Sequence, residues 1–166
     1  MHKKNYIKRL IFASLIAAIY AAVTYLCWGI SFTNIQFRIA EVLTILPCFT
    51  PTGIIGLTVG CFIANFASFN LFDLFFGTLA TLISSVISYL LRNIKFKNIP
   101  FLSILSPVLI NGIIIGLELS IFFTESNLSF PILALCVAFG EAVVCFGLGI
   151  PLYLIMNNHK DIFKDM

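Results

Sequence analysis

Six apolar runs, separated only by short breaks, leave this chain little freedom in how it can fold. They cover roughly residues 9–28, 35–49, 51–67, 71–91, 99–123 and 129–156. A helix that crosses the hydrocarbon core of a bilayer needs about 20 apolar residues. Of the 166 residues 60% are hydrophobic and only 10% charged, and the mean hydropathy is +1.07. A soluble domain carries about 25% charged residues, and this chain lacks the polar groups to cover a water-facing surface. The expected fold is an all-α integral membrane protein, a single domain over 1–166 with six transmembrane helices. The opening MHKKNYIKRL resembles the basic end of a signal peptide. The apolar run behind it continues to Trp28 without a small-residue cleavage site, so an uncleaved first helix is expected. The second and third runs are short and meet at PCFTP, where Pro47 and Pro51 predict a tight turn. The second is expected to be tilted, broken or only partly spanning.

The basic residues orient this bundle. Lys3, Lys4, Lys8 and Arg9 precede the first run; Arg92, Lys95 and Lys97 separate the fourth and fifth; Lys160 and Lys164 follow the sixth. Six crossings put all three groups on one side, cytoplasmic by the positive-inside bias, with both termini there. The opposite loops, near 29–34, 68–70 and 124–128, have no Lys or Arg. The net charge of +3 is thus a topology signal in a cell-membrane protein, not a nucleic-acid patch.

One basic residue, Arg38, escapes this account. It sits in QFRIAEVLTILP (36–47), three residues before Glu41 and on the same helical face. A charge in hydrocarbon costs on the order of 2.5–3.5 kcal/mol on insertion scales, so such residues are paired, hydrated or functional. Five remain once tails and loops are set aside: Arg38, Glu41, Asp73, Glu118 and Glu141. Asn65 and Asn111 join them. On the expected topology all seven fall in the outer half or the centre of the membrane. Asp73, Gly77, Thr81 and Ser84 continue as a polar stripe down the fourth helix. Together they predict a pocket open to the outside and closed below by apolar packing. Structural roles stay open for each: an ion pair for Arg38 and Glu41, a helix cap for Asp73, a helix-end position for Asn65, a hydrated rim for Glu118, interhelical glue for Asn111 and Glu141.

Charge arithmetic narrows the ligand. One arginine faces four carboxylates, and all four ionised would leave about three uncompensated negative charges at low dielectric. Either some carry protons, or the ligand brings positive charge or several N–H donors. A carboxylate accepts well from two adjacent N–H groups, such as the pairing edge of a guanine-like base. Tyr25, Trp28, Phe32, Phe37, Phe69, Phe72, Phe122, Phe123 and Phe130 crowd the same outer ends as an interfacial belt. One or two of them are placed to stack on a flat heterocycle.

Other chemistry is thin. The five cysteines form no CxxC pair, and both histidines, His2 and His159, lie in the tails, which argues against zinc, haem or any other cofactor. There is no phosphate-loop motif, nucleophile elbow or intramembrane histidine, so neither a motor nor an enzyme is expected. In the first helix Ala13, Ala17 and Ala21 form one row, and Ser14, Ala18 and Ala22 the next. Such small faces let another helix approach closely, and they predict an interface with another membrane protein. Gly56/Gly60 and Gly112/Gly116 suit internal helix packing or the same purpose.

Beyond these readings the chain resembles the QueT family from about residue 9 to 156. The likeness is carried by QFRIAEVLTILP (36–47), TP…GL…GCFIAN (50–65), DLFFGTLATL (73–82) and GEAVV (140–144). It implies the substrate-binding (S) component of an energy-coupling factor transporter, with an outward-facing pocket. It implies uptake of queuosine precursors, 7-deazaguanines with a 7-cyano or 7-aminomethyl group. The implied partners are a transmembrane T component and two cytoplasmic ATPases. Arg38, Glu41, Asn65, Asp73 and Glu141 lie within the resembling segments; Asn111 and Glu118 rest on depth alone. The alternative is a proton- or cation-coupled carrier of a small cationic or heterocyclic solute. No inverted repeat supports it.

Overall fold

A computed structural model describes residues 2–31, 36–66, 70–122 and 128–163. The outer connections expected near 29–34, 68–70 and 124–128 fall largely outside the described residues, as do Phe32, Phe69, Phe123 and Lys164. Helix α1 runs His2–Leu26 and is followed by the one-turn α2, Trp28–Ser31. A 3-10 helix spans Ile39–Cys48 and α3 spans Thr52–Phe66. Helix α4 covers Asp73–Leu91, its first stretch Asp73–Gly77 wound as a π-helix. Helices α5 (Phe101–Phe122), α6 (Phe130–Gly147) and α7 (Gly149–Asn158) follow, then a 3-10 turn at Lys160–Phe163. In hydrocarbon every backbone group must be satisfied within its own segment, and helices do this without partners.

Among the described residues four stretches are long and apolar enough to cross a membrane: Asn5–Leu26, Asp73–Leu91, Phe101–Phe122 and Phe130–Asn158. The last is not continuous. It breaks at Leu148, between Gly147 and Gly149, where the α6 ladder ends on a Leu148 N–H to Val144 carbonyl bond. Pro151 has no N–H to offer the Gly147 carbonyl, and glycine on both sides weakens the helix, so the ladder restarts there. The 3-10 helix and α3 are the two short runs. At roughly 2.0 Å per residue the first reaches about 20 Å. At roughly 1.5 Å per residue the second reaches about 22 Å. Between them the chain reverses as the prolines predict: the Phe49 and Thr50 N–H groups bond the Leu46 carbonyl, and Gly53 N–H bonds the Thr50 carbonyl.

The short 3-10 helix occupies the middle of the bundle. It touches α1, α3, α4, α5, α6 and α7. Helices close around it because small residues let them approach. A methyl group built on Gly56 would lie 2.7 Å from Ile16 Cβ, and one on Gly60 would lie 2.8 Å from Tyr20 Cβ, so α3 packs directly on α1. On Gly116 it would lie 2.7 Å from Ala134, which seats α5 on α6. Both GxxxG pairs therefore serve internal packing. The two small rows of α1 divide in the same way. Ala13, Ala17 and Ala21 are buried in the bundle, whereas Ser14, Ala18 and Ala22 remain on the surface.

Away from the glycines, α4 and α5 are joined by a serine ladder. Ser88 Oγ donates to the Ser103 carbonyl (2.6 Å), Ser103 Oγ to the Ser88 carbonyl (2.8 Å) and Ser106 Oγ to the Ser84 carbonyl (2.9 Å). The outer surface is the reverse of a soluble protein's. Leu26, Leu71, Phe75, Leu135, Phe139 and Ile155 are exposed, while Thr24, Thr81, Ser84 and Ser88 are buried. Polar groups that cannot bond to lipid turn inward and bond one another.

Candidate functional site

All seven polar residues singled out from the sequence turn inward, and none is more than 8% exposed. They come from five elements and gather where the 3-10 helix begins, at the end of the bundle opposite the α4–α5 loop. Arg38 stands at the N-terminal cap position of that helix and Glu41 lies in its first turn. The entering segment is pressed against α6: a side chain on Gly140 would collide with the Gln36 backbone carbonyl. That contact puts QFRIAE beside Glu141, the next residue of α6.

Arg38 is the centre of charge. Its guanidinium interacts with Glu41, Glu141 and Glu118. Around it the acids form two groups. In the deeper one, Glu41 accepts hydrogen bonds from the Tyr20 hydroxyl and from Thr81 Oγ1 (3.4 Å). Glu141 accepts from Asn111 Nδ2 (2.9 Å), and Cys145 Sγ lies 3.8 Å from it. In the second group the Asp73 and Glu118 carboxyls lie close enough to interact. Neither Glu118 oxygen has a hydrogen-bond partner among the described residues, and one Glu41 oxygen and the Asn111 carbonyl oxygen share that condition.

The π-helical start of α4 shapes this second group. A π turn widens the helix by one residue and recurs at functional sites. Here Asp73 and Gly77 face inward, while Leu71 and Phe75 face out. Asn65 Nδ2 donates to the Asp73 backbone carbonyl (3.0 Å) and lies 3.3 Å from Cys61 Sγ. Gly77 leaves room for this arrangement. A methyl group there would strike the Asn65 amide and sit 3.6 Å from Arg38 Nη1. Two belt aromatics, Phe72 and Phe122, stack on each other at 3.7 Å, and Phe76 leans on the same Phe122 ring.

Some roles considered from the sequence change with the packing. Glu118 is not a hydrated rim residue; it is buried. Helix α1 holds none of the seven residues singled out from the sequence, yet it supplies Tyr20, which is fully buried against Glu41. Cys61 and Cys145 also touch the cluster or its neighbours through sulfur. Among the described residues, no three His, Cys, Asp or Glu side chains are grouped to hold a metal ion. What converges instead is a set of carboxylate acceptors around one fixed cation, suited to a solute rich in N–H donors.

Membrane-length apolar helices that enclose a polar cluster define an all-α membrane protein. The chain belongs to the QueT transporter family, whose family model matches residues 10–158. Members of that family are transporters, not enzymes. It is similar to the queuosine precursor transporter QueT of Lactococcus lactis subsp. cremoris (strain MG1363), 35% identical over 97 residues. That stretch is 57% of this chain and spans 57% of the relative's own length. No solved structure matches the chain.

Proposed function

We propose that this chain is the substrate-binding S component of an energy-coupling factor importer, and that it takes up a queuosine precursor. The six apolar helical segments are six crossings, with both termini in the cytoplasm and the polar cluster beneath the external surface. The observation that carries the reading is the cluster itself: seven polar side chains, far apart in sequence, are buried together around Arg38. The relative's name supplies the class of solute.

A 7-deazaguanine is flat, presents adjacent N–H donors on its pairing edge, and in the aminomethyl form carries a cation at the other end. Glu118 takes the pairing edge, because its neighbour Asp73 is another acid and no N–H donor among the described residues bonds its oxygens. The deeper acids, Glu41 and Glu141, face the 7-substituent, with Asn111 and Tyr20 holding them in place. Arg38 sits between the two acid groups and donates to the ring carbonyl. Asp73 and Asn65 complete the wall under the Phe72–Phe122 stack. A transmembrane T component and two ATPases drive release inward.

Thermal stabilisation of the purified protein by a panel of 7-deazaguanines, with guanine as control, tests this directly. A ligand at a hundredfold excess over its dissociation constant stabilises by about 2.7 kcal/mol. No shift with any 7-deazaguanine, or the same shift with guanine, would overturn the substrate assignment.

A further inference from the structure

At the opposite end of the bundle is a second feature that the substrate site does not use. A cavity of about 210 Å³ is lined by Arg92, Lys95, Lys160, Phe49, Tyr153 and Phe163. The three cations reach it from two separate parts of the chain. Arg92 and Lys95 follow the end of α4, and Lys160 follows α7. A tight turn fixes the first pair: Lys97 and Asn98 both have positive φ, and Phe96 and Ile99 exchange backbone hydrogen bonds across them.

None of the three cations has a carboxylate partner among the described residues. Arg92 Nη1 caps the Tyr89 carbonyl at 2.7 Å, and the guanidinium lies 3.7 Å from the centre of the Tyr89 ring. The Lys95 ammonium lies 5.9 Å from the centre of the Tyr153 ring. The bias for basic inner loops explains the sign of these residues. It does not explain why cations from two loops line one hollow instead of spreading through water. The α4 C-terminus attracts Arg92 through its dipole, but Lys95 lies beyond reach of that end. The back wall is aromatic: Phe49 packs on Tyr153 at 5.2 Å and on Phe163 at 5.3 Å. Converging cations on an apolar wall at the level of helix ends match an anionic group held at a membrane face, where basic pockets take lipid headgroups.

We propose that this cavity is an anion site for a phosphate group at the inner membrane face, with Lys95 and Lys160 as its principal contacts and Arg92 behind them. The word "inner" rests on the orientation proposed above; the site does not depend on the identity of the transported solute. The phosphate comes from a lipid headgroup or from free phosphate, and the two sources separate in one experiment.

The full-length protein is purified in neutral detergent with no transported solute. Phosphatidylglycerol, phosphatidylcholine and inorganic phosphate are each titrated against it. Bound lipid is read by native mass spectrometry and stability by thermal shift. Lys95→Gln/Lys160→Gln removes two cavity charges, and Lys8→Gln/Arg9→Gln removes two charges that do not line it. Lys95 and Lys160 are exposed, so neither change disturbs the core. The expected result is selective retention of phosphatidylglycerol, weakened about thirtyfold in the cavity variant and little changed in the control. Lys95→Arg/Lys160→Arg restores it. Binding of inorganic phosphate with the same variant dependence, without lipid selectivity, assigns the site to free phosphate and also supports the proposal. Binding of neither probe overturns it, as does equal loss in the cavity and control variants. The deazaguanine panel is a separate measurement, so failure of one leaves the other intact.

Discussion

Glu118 and Glu141 are both buried glutamates, yet their surroundings ask different things of a ligand. Glu141 already accepts from Asn111 and stands near Arg38. Glu118 offers two oxygens that accept from no N–H donor among the described residues, and its neighbour is a second acid, Asp73. Burial without a partner costs a polar group on the order of 1–3 kcal/mol, so a ligand that donates to both oxygens recovers that cost. Glu118→Gln turns one acceptor into a donor facing the donors of the base. It is expected to weaken 7-deazaguanine binding by more than the ~0.5–1.5 kcal/mol of one neutral hydrogen bond, measured by titration calorimetry. An unchanged dissociation constant removes Glu118 from the site. Arg38, Glu41, Asp73, Glu118 and Glu141 were legible in the sequence because charge in an apolar run has no inexpensive explanation. Tyr20 was not. A tyrosine in an apolar helix reads equally as packing, as belt or as donor, and only its contact with Glu41 separates these.

Among the elements, the long helices follow directly from the apolar runs, and the irregular ones carry the site. The 3-10 helix at Ile39–Cys48 was expected only as a short or broken span, and the π start of α4 was not expected. Both are local windings that depend on what packs against them, such as Asn65 on the Asp73 carbonyl, so hydrophobic periodicity does not report them. The break at Leu148 left its signal in the Gly-Ile-Pro that follows, but the surrounding run is so apolar that it reads as one span. The serine ladder between α4 and α5 belongs to the opposite class: it braces the scaffold away from the polar cluster around Arg38. Ser88 bonds both the Ser103 carbonyl and Ser106 Oγ. Ser88→Ala is expected to lower stability by about 0.6–1.7 kcal/mol, the range for interhelical hydrogen bonds in membranes. The dissociation constant for the base, measured on the folded protein, stays as in the wild type. A matching loss of affinity would mean that the ladder shapes the site and does not merely hold α4 to α5.

At the scale of the whole molecule, the division of the α1 alanines decides how a partner can be met. Ala17 is within the bundle, where the α3 backbone at Gly60 lies against it. Ala18 and Ala22 are on the surface one helical row away. A bulky residue has different consequences in the two rows. Ala17→Leu forces α1 from α3 and lowers stability by about 1–3 kcal/mol through overpacking. Ala18→Leu leaves the fold and the base affinity as they are, because Ala18 is exposed on the surface of the bundle. It roughens the surface a T component would need to approach, so uptake reconstituted with T component and ATPases falls while binding persists. That pattern separates an ATP-driven S component from a self-sufficient carrier, for which Ala18→Leu leaves transport unchanged and an uncoupler abolishes it. Uptake by the chain alone in ATP-free vesicles, collapsing with the proton gradient, would reassign the buried acids as proton sites.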